Sequence, residues 1–189
     1  MINNNDNNNF SNNLDNTPVN TTNSIRPPTI SFTTHNFNSL QCDLKNEIIK
    51  DTFLDFDTDF VGLTETRHKS DQLFKNKFDP NFSSFWSTTI NVHTGVGILI
   101  KRSWSIYVQK TFLDNDRFIY VDLFLAGHIK LRVFSIYLHA KRTSATKKEH
   151  LNLHKIILEH IKDGLKSDFK IILLGDFNAN LDKYWSHIN

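Results

Sequence analysis

Short apolar segments bounded by turn residues recur along the chain and predict a protein built largely from β-strands. The first strand opens at TISF and runs to Asn36, and the second is DFVGLTE, residues 59–65. Five further strand-like segments lie between Ser84 and His139 and read FWSTTINV, GVGILIKR, WSIYVQKTF, RFIYVDLFLA and IKLRVFSIYLHA. Because turn residues separate the later segments, we expect them to form a meander of antiparallel strands.

Two segments carry apolar residues at helical spacing and predict amphipathic helices. The first runs from Ser39 to about Phe56. Its expected core-facing residues are Leu40, Leu44, Ile48 and Phe53. The second is expected to begin at a capping box formed by Thr146 and Glu149. Its expected core-facing stripe consists of Leu151, His154, Leu158, Ile161 and Leu165. Helices packed outside sheets of this kind make an α+β fold.

A last strand is predicted within FKIILLGDFNANLD, residues 169–182. The unbroken apolar run from Ile171 to Leu174 is typical of a strand buried on both faces, and Gly-Asp follows it directly. Gly-Asp is also ordinary turn chemistry, so this segment alone leaves a structural and a functional interpretation open.

Polar side chains follow three of the predicted strands. Asn36 ends the first strand, Glu65 ends the second, and Asp176 with Asn178 follows the last. If these strand ends meet at one rim of the sheets, two carboxylates and two amides form an oxygen-rich site of the kind that Mg²⁺ or Mn²⁺ prefers.

Composition indicates one domain with an unusual N-terminal segment. Of the 189 residues, 39% are hydrophobic, including 16 Phe, which is enough for a core. Residues 1–26 are rich in Asn and are expected to form a disordered tail, which leaves residues 27–189 as the domain. Cys42 is the single cysteine, so an internal disulfide and a Cys-rich zinc site are both excluded.

Charge and targeting signals indicate the cellular compartment of the protein but do not identify its substrate. Lys and Arg number 22 against 20 Asp and Glu, a net charge of +2 that is compatible with a polyanionic substrate without being diagnostic of one. The sequence has no signal-peptide pattern and no apolar stretch of about 20 residues. We therefore expect an intracellular protein, nuclear or cytoplasmic, that does not interact with membranes.

The order of these motifs resembles the endonuclease/exonuclease/phosphatase superfamily over roughly residues 29–182. The motifs are HNFNSL, DFVGLTET, GVGILIKR, DRFIYVDL, FSIYLHA and IILLGDFNANLD. The superfamily includes apurinic endonucleases and deoxyribonucleases, and the motif spacing looks most like the endonuclease domains of LINE-type retroelements. The resemblance implies a four-layer α/β/β/α sandwich and metal-dependent hydrolysis of a phosphoester, with DNA as the expected partner.

The resemblance also implies roles for individual residues. Asn36 and Glu65 match the residues of the metal site, with Mg²⁺ or Mn²⁺ as the expected cofactor. Tyr137 matches a tyrosine that contacts the scissile phosphate, Asp176 the aspartate that orients or deprotonates water, and Asn178 an amide that holds the phosphate. These types suit the chemistry, because a metal neutralises charge on the phosphate while a carboxylate takes the proton from water.

The chain departs from the superfamily pattern most clearly after residue 182. Members carry further strands and a terminal Ser-Asp-His-type motif, and His187 follows GDFN too closely to be that histidine. We therefore expect a domain that is incomplete at its C-terminus and an enzyme that is slow or inert. Thr64 and Ser39 stand where members commonly carry Gln and Gly, which are smaller departures.

Several alternatives stay open from the sequence. Arg67 and Lys69 follow Glu65 closely and are weak candidates for contact with phosphate or nucleic acid, against the alternative of a solvated basic loop. His150 and His154 have a metal-binding spacing on a predicted helix but lack a zinc-protease motif. For the whole chain, the alternatives to an endonuclease are a non-catalytic relic or nucleic-acid-binding module, and a lipid or inositol phosphate phosphatase of the same superfamily.

Overall fold

Two four-stranded β-sheets form the centre of the computed structural model, which describes residues 29–39, 43–67, 80–87, 94–113, 115–138 and 144–178. The first sheet contains β1 (Phe32–Asn36), β2 (Phe60–Thr64), β3 (Phe82–Trp86) and β4 (Val96–Lys101). The second contains β5 (Val108–Phe112), β6 (Phe118–Leu125), β7 (Ile129–Tyr137) and β8 (Phe169–Asp176). The predicted tail and Lys69 lie outside the described residues.

The two sheets share a pairing pattern that brings strand ends together. The first sheet has the order β1-β2-β4-β3, in which β1 and β2 are parallel and the other neighbours are antiparallel. The second has the order β5-β6-β7-β8, in which β7 and β8 are parallel. Each sheet therefore has one parallel pair whose carboxyl ends lie side by side.

Helices cover the outer face of each sheet. Helix α1 (Asp43–Asp55) packs Phe53, Ile49 and Leu54 against the first sheet. The long helix α3 (Ser144–Lys166) packs Leu153 and Ile157 against the second, while the four-residue α2 (Arg102–Ser105) connects β4 to β5. The layers run helix, sheet, sheet, helix, and this confirms the predicted α+β sandwich.

The largest apolar cluster lies between the two sheets. Phe60 and Ile98 of the first sheet and Val121 and Val133 of the second are fully buried in it. Gly62 on β2 permits a close approach of the two sheets, because a Cβ there would lie 2.5 Å from the Cβ of Leu174 on β8. The missing side chain thus lets β2 and β8 come together across the sandwich.

The predicted core-facing stripe of the first helix is wrong. Leu44 and Ile48 are 72% and 57% exposed, and of the predicted residues that the structure describes only Phe53 is buried. Leu40 lies outside the described residues. The helix is rotated so that Ile49 and Leu54 join Phe53 against the sheet, because apolar residues occur on both of its faces.

The predicted start of the second helix and most of its predicted stripe are also wrong. Of that stripe, only Ile161 packs against the core, whereas Leu151, His154, Leu158 and Leu165 are exposed. The buried side of α3 instead carries His150, Leu153, Ile157 and Gly164. The helix already includes Ser144, so Thr146 is inside it rather than at its cap.

The predicted meander is divided between the two sheets. β4 pairs with β2 and β3, whereas β5 pairs with β6 in the other sheet, so the chain crosses the sandwich after β4. Trp104, expected in a strand, lies in α2. β3 ends at Trp86, and residues 88–92 of the predicted FWSTTINV strand lie outside the described residues.

β8 is confirmed as a strand but is not buried on both faces. Leu174 points into the sandwich and is buried, while Leu173 on the opposite face is 43% exposed. β8 has one partner, β7, among the strands of the described residues, which makes it an edge strand there. No helix in the part of the chain that the structure describes is both long and apolar enough to span a membrane.

Candidate active site

The predicted polar residues lie where the two parallel strand pairs end. Asn36 is opposite Thr64 in the first sheet, and Tyr137 is opposite Asp176 in the second. A hydrogen bond from the Ser135 hydroxyl to the Leu63 carbonyl, 3.1 Å long, joins the two sheets just before these ends. The strand ends therefore form one rim.

The carboxylate of Glu65 is the centre of this rim. Its Oε1 accepts hydrogen bonds from Asn36 Nδ2 at 2.9 Å and from the Tyr137 hydroxyl at 3.0 Å. Its Oε2 accepts a charged hydrogen bond from the Arg67 guanidinium at 2.8 Å. Residues from β1, β7 and the loop after β2 thus converge on one acidic group.

The backbone that presents Glu65 is in the left-handed region, with φ +52° at Glu65 and +51° at Arg67. Non-glycine residues adopt this conformation only at a cost of roughly 1–2 kcal/mol, so the neighbouring structure must hold it in place. On one side, the Glu65 carbonyl accepts a hydrogen bond from Ser39 N at 2.9 Å. Strained backbone of this kind is frequent at functional sites.

On the other side, the loop that precedes β4 holds the segment after Glu65. Thr66 N donates to Gly95 O at 3.1 Å, and Arg67 N donates to Thr94 O at 3.0 Å. The Thr94 hydroxyl in turn donates to Asp116 Oδ2 at 2.9 Å. No local sequence signal predicts this support, since Thr94 and Asp116 are ordinary loop residues far apart along the chain.

Electrostatics favour an ionised Glu65. Burial opposes ionisation, but hydrogen bonds from Asn36, Arg67 and Tyr137 outweigh it and hold the pKa of Glu65 below its ordinary 4.5. The pKa of Tyr137 is raised, mainly by burial and secondly by its hydrogen bond to Glu65. The phenol therefore stays protonated and donates its hydrogen bond to the Glu65 carboxylate. The rim therefore presents a carboxylate anion at neutral pH.

Asp176 and Asn178 form the adjoining part of the rim. The Asp176 carbonyl accepts a hydrogen bond from Leu138 N at 2.9 Å, which extends the β7–β8 ladder. Asp176 Oδ1 accepts from Asn178 N at 2.9 Å, and Asn178 Nδ2 donates to Leu138 O at 2.7 Å. Among the described residues, these contacts leave Asp176 Oδ2 and one N–H of the Asn178 amide for other groups.

Four further residues lie on or near the strands and helices around the rim, and three of them, Arg67, His150 and His154, were considered from the sequence. Arg67 contacts Glu65 directly instead of extending into solvent. His150 and His154 stack with ring centroids 4.2 Å apart, and the described residues contain no group of three His, Cys, Asp or Glu side chains able to hold a metal. The Arg117 guanidinium lies over the Tyr137 ring, 5.1 Å from its centroid, and so borders the rim.

Comparisons with known proteins agree with this architecture. A family model described as the Endonuclease/Exonuclease/phosphatase family matches residues 31–188. No curated protein sequence matches the chain.

Solved structures with the same fold include three proteins of low sequence identity. The 3′ phosphatase NExo from Neisseria, bound to a product DNA hairpin, has a TM-score of 0.65 and 19% identity over 79% of this chain and 58% of its own. A humanized TDP2 from D. rerio has a TM-score of 0.63 and 16% identity over 85% of this chain and 70% of its own. The human Nocturnin catalytic domain with bound sulfate has a TM-score of 0.61 and 15% identity over 82% of this chain and 66% of its own. The chain therefore spans about 58–70% of the length of these three structures.

Proposed function

Because the chain belongs to the Endonuclease/Exonuclease/phosphatase family, we propose that it is a metal-dependent phosphodiester hydrolase that acts on DNA. The observation that carries the proposal is the ionised Glu65 carboxylate, which three side chains hold at the rim where β8 ends in Asp176. An anion fixed in this way, and joined through Tyr137 to the strand pair that ends in Asp176, suits a hard cation better than it suits a structural role.

The donor set fits Mg²⁺ or Mn²⁺. Mg²⁺ is typically held by one or two protein carboxylates and keeps several water ligands, so a site without three acidic or histidine ligands is sufficient. Glu65 would supply this carboxylate, and Asp176 keeps its predicted role as the residue that orients or deprotonates the attacking water. The Asn36 amide donates a hydrogen bond to Glu65, and its oxygen accepts one from the Asn38 N–H. We therefore propose that Asn36 holds the Glu65 carboxylate in position, in addition to its predicted part in the metal site. When bound, the cation neutralises charge that develops on the phosphate.

The remaining residues would act on the phosphate and the attacking water. Asp176 would accept the water's proton at Oδ2, because its Oδ1 already accepts the Asn178 N–H. The second N–H of the Asn178 amide would donate to a phosphate oxygen without adding charge. Tyr137 would hold Glu65 in place through the hydrogen bond from its hydroxyl. Its ring would also lie beside the phosphate, which is the contact that the family resemblance predicts for this tyrosine.

DNA is the substrate class that the surroundings favour. The rim carries two arginines, since Arg67 contacts Glu65 and Arg117 lies over the Tyr137 ring, and this positive charge suits a polyanion. The Neisseria phosphatase of similar fold binds a DNA product, which supports the same class of ligand here.

Nicking of supercoiled plasmid in the presence of Mg²⁺ tests the proposal. We expect Glu65→Gln and Asp176→Asn each to slow nicking by at least about 100-fold, since a proton-transfer group contributes typically 10²–10⁴ in rate. Glu159→Gln and Asp51→Asn remove exposed carboxylates of α3 and α1 and serve as matched controls that should nick at the parent rate. A folded parent without nicking activity, or variants of the rim that nick as fast as the controls, would contradict the proposal.

A further inference from the structure

The contact between Arg67 and Glu65 occupies the group that the proposed function assigns to the metal. Arg67 lies two residues after Glu65, and both have left-handed backbone, which turns the two side chains towards each other. The Glu65 side chain is 17% exposed and that of Arg67 31%, so the ion pair is partly shielded from water.

The two carboxylate oxygens of Glu65 differ in how many lone pairs remain for a cation. A carboxylate oxygen accepts about two hydrogen bonds. Oε1 already accepts from Asn36 and Tyr137, whereas Oε2 accepts, within the described residues, from Arg67 alone. A cation would therefore approach Oε2, the oxygen that the guanidinium contacts.

A divalent cation and the guanidinium repel each other at that oxygen. Two cations a few ångströms apart in a partly shielded site interact unfavourably, and the solvent screens the repulsion only in part. The guanidinium is also incompletely satisfied, because its Nε is buried and, within the described residues, makes no hydrogen bond. Arg67 thus has a donor left for another acceptor if it leaves Glu65.

We infer that Arg67 is a built-in counter-cation of Glu65 that a divalent ion displaces, so that the guanidinium changes its partner from Glu65 to a phosphate oxygen of the substrate. The inference rests on the proposed function, because it takes Glu65 as the metal-binding carboxylate. It makes Arg67 a positioning residue that links metal binding to substrate binding.

Calorimetric titration with Mn²⁺ measures this competition without requiring activity. We expect Arg67→Gln to bind Mn²⁺ at least about tenfold more tightly than the parent, because the competing charge is removed. Arg67→Lys keeps the charge and should bind within about threefold of the parent. Lys170→Gln, which removes an exposed charge at the start of β8, serves as the control and should not change the affinity.

A measurement on the parent keeps the test independent of how the variants fold. Addition of Mg²⁺ should shift the ¹⁵N resonance of Arg67 Nε, while that of Arg132, which is bound to Asp122 far from the rim, should stay in place. Two results would overturn the displacement of Arg67 but leave the proposed metal site intact. They are equal or weaker Mn²⁺ binding by folded Arg67→Gln, and an unchanged Arg67 resonance in a parent that binds the ion. Failure of the parent to bind Mn²⁺, or equal binding by Glu65→Gln, would overturn the proposed metal site as well.

Discussion

Arg132 and Asp122 form an ion pair inside the second sheet, away from the rim. Their side chains are 3% and 4% exposed, and two hydrogen bonds of 2.7 and 2.9 Å join the guanidinium to the carboxylate. Arg132 also donates to the His160 carbonyl at 2.8 Å and so ties β7 to α3. A buried charge of this kind depends on its partner, because water cannot replace the carboxylate.

We predict that Asp122→Asn lowers the free energy of unfolding by about 3–5 kcal/mol, because it leaves the Arg132 charge buried without its main partner. The surface pair Lys50–Glu47, in which the Glu47 side chain is 56% exposed, provides the control, and Glu47→Gln should cost less than about 1 kcal/mol. Urea unfolding of the three proteins measures both changes. Similar losses for the two variants would contradict a special role for the buried pair.

His160 makes stability depend on pH. Burial, followed by the charge of Arg132, lowers the pKa of His160 below its ordinary 6.5, and its ring packs 4.6 Å from that of Phe112. Between pH 6.5 and the lower pKa of His160 in the folded chain, this histidine is protonated in the unfolded chain but neutral in the folded one. Lowering the pH through this range therefore favours the unfolded chain.

We predict that the free energy of unfolding falls as the pH is lowered through 6.5 and that His160→Phe makes this dependence shallower. The phenyl ring keeps the aromatic packing but cannot bind a proton. Urea unfolding between pH 8 and 5 gives the slopes, and His128→Gln, which removes an exposed histidine, should leave the parent's slope intact. Identical slopes for His160→Phe and the parent would show that other groups cause the dependence.

At the scale of elements, the position of Asp176 depends on the pairing of β7 with β8. Gly175 has φ +130°, and a Cβ there would lie 1.9 Å from the Ile136 carbonyl oxygen on β7. The sequence requires glycine immediately before the aspartate because the two backbones meet at this point.

We predict that Gly175→Ala costs about 3–4 kcal/mol in stability, from backbone strain and a steric clash together. Gly127→Ala is the matched control: Gly127 also has positive φ, +76°, but a Cβ there would meet nothing within 4 Å, so only about 1 kcal/mol of strain is expected. Thermal and urea unfolding compare the two variants. Equal losses would mean that the close contact with β7 is tolerated.

Strands were easier to predict from the sequence than the faces of helices. Short apolar segments between turn residues identified all eight strands of the described residues, because such segments have few other structures available. The helices carry apolar residues on two faces, such as Leu151 with Leu158 and Leu153 with Ile157, and periodicity cannot choose between them. The choice is made by the sheet against which each helix packs.

At the scale of the whole molecule, the rim combines features that were predictable with others that were not. That Asn36, Glu65 and Asp176 end strands could be read from the apolar runs that precede them. That the two sheets face each other followed from the family resemblance, and the family match and the similar solved structures confirm it. The pairing of Arg67 with Glu65 depends on left-handed backbone and on support from Thr94, neither of which has a local sequence signal.

The central claim is that Glu65 and Asp176, from different sheets, act in one catalytic site, and a double-mutant cycle on plasmid nicking tests it most directly. Rates are measured for the parent, Glu65→Gln, Asp176→Asn and the double variant. Residues that act as a unit give losses that do not multiply, so the double variant should be within about tenfold of the slower single variant. Losses that multiply across the two positions would contradict a shared site.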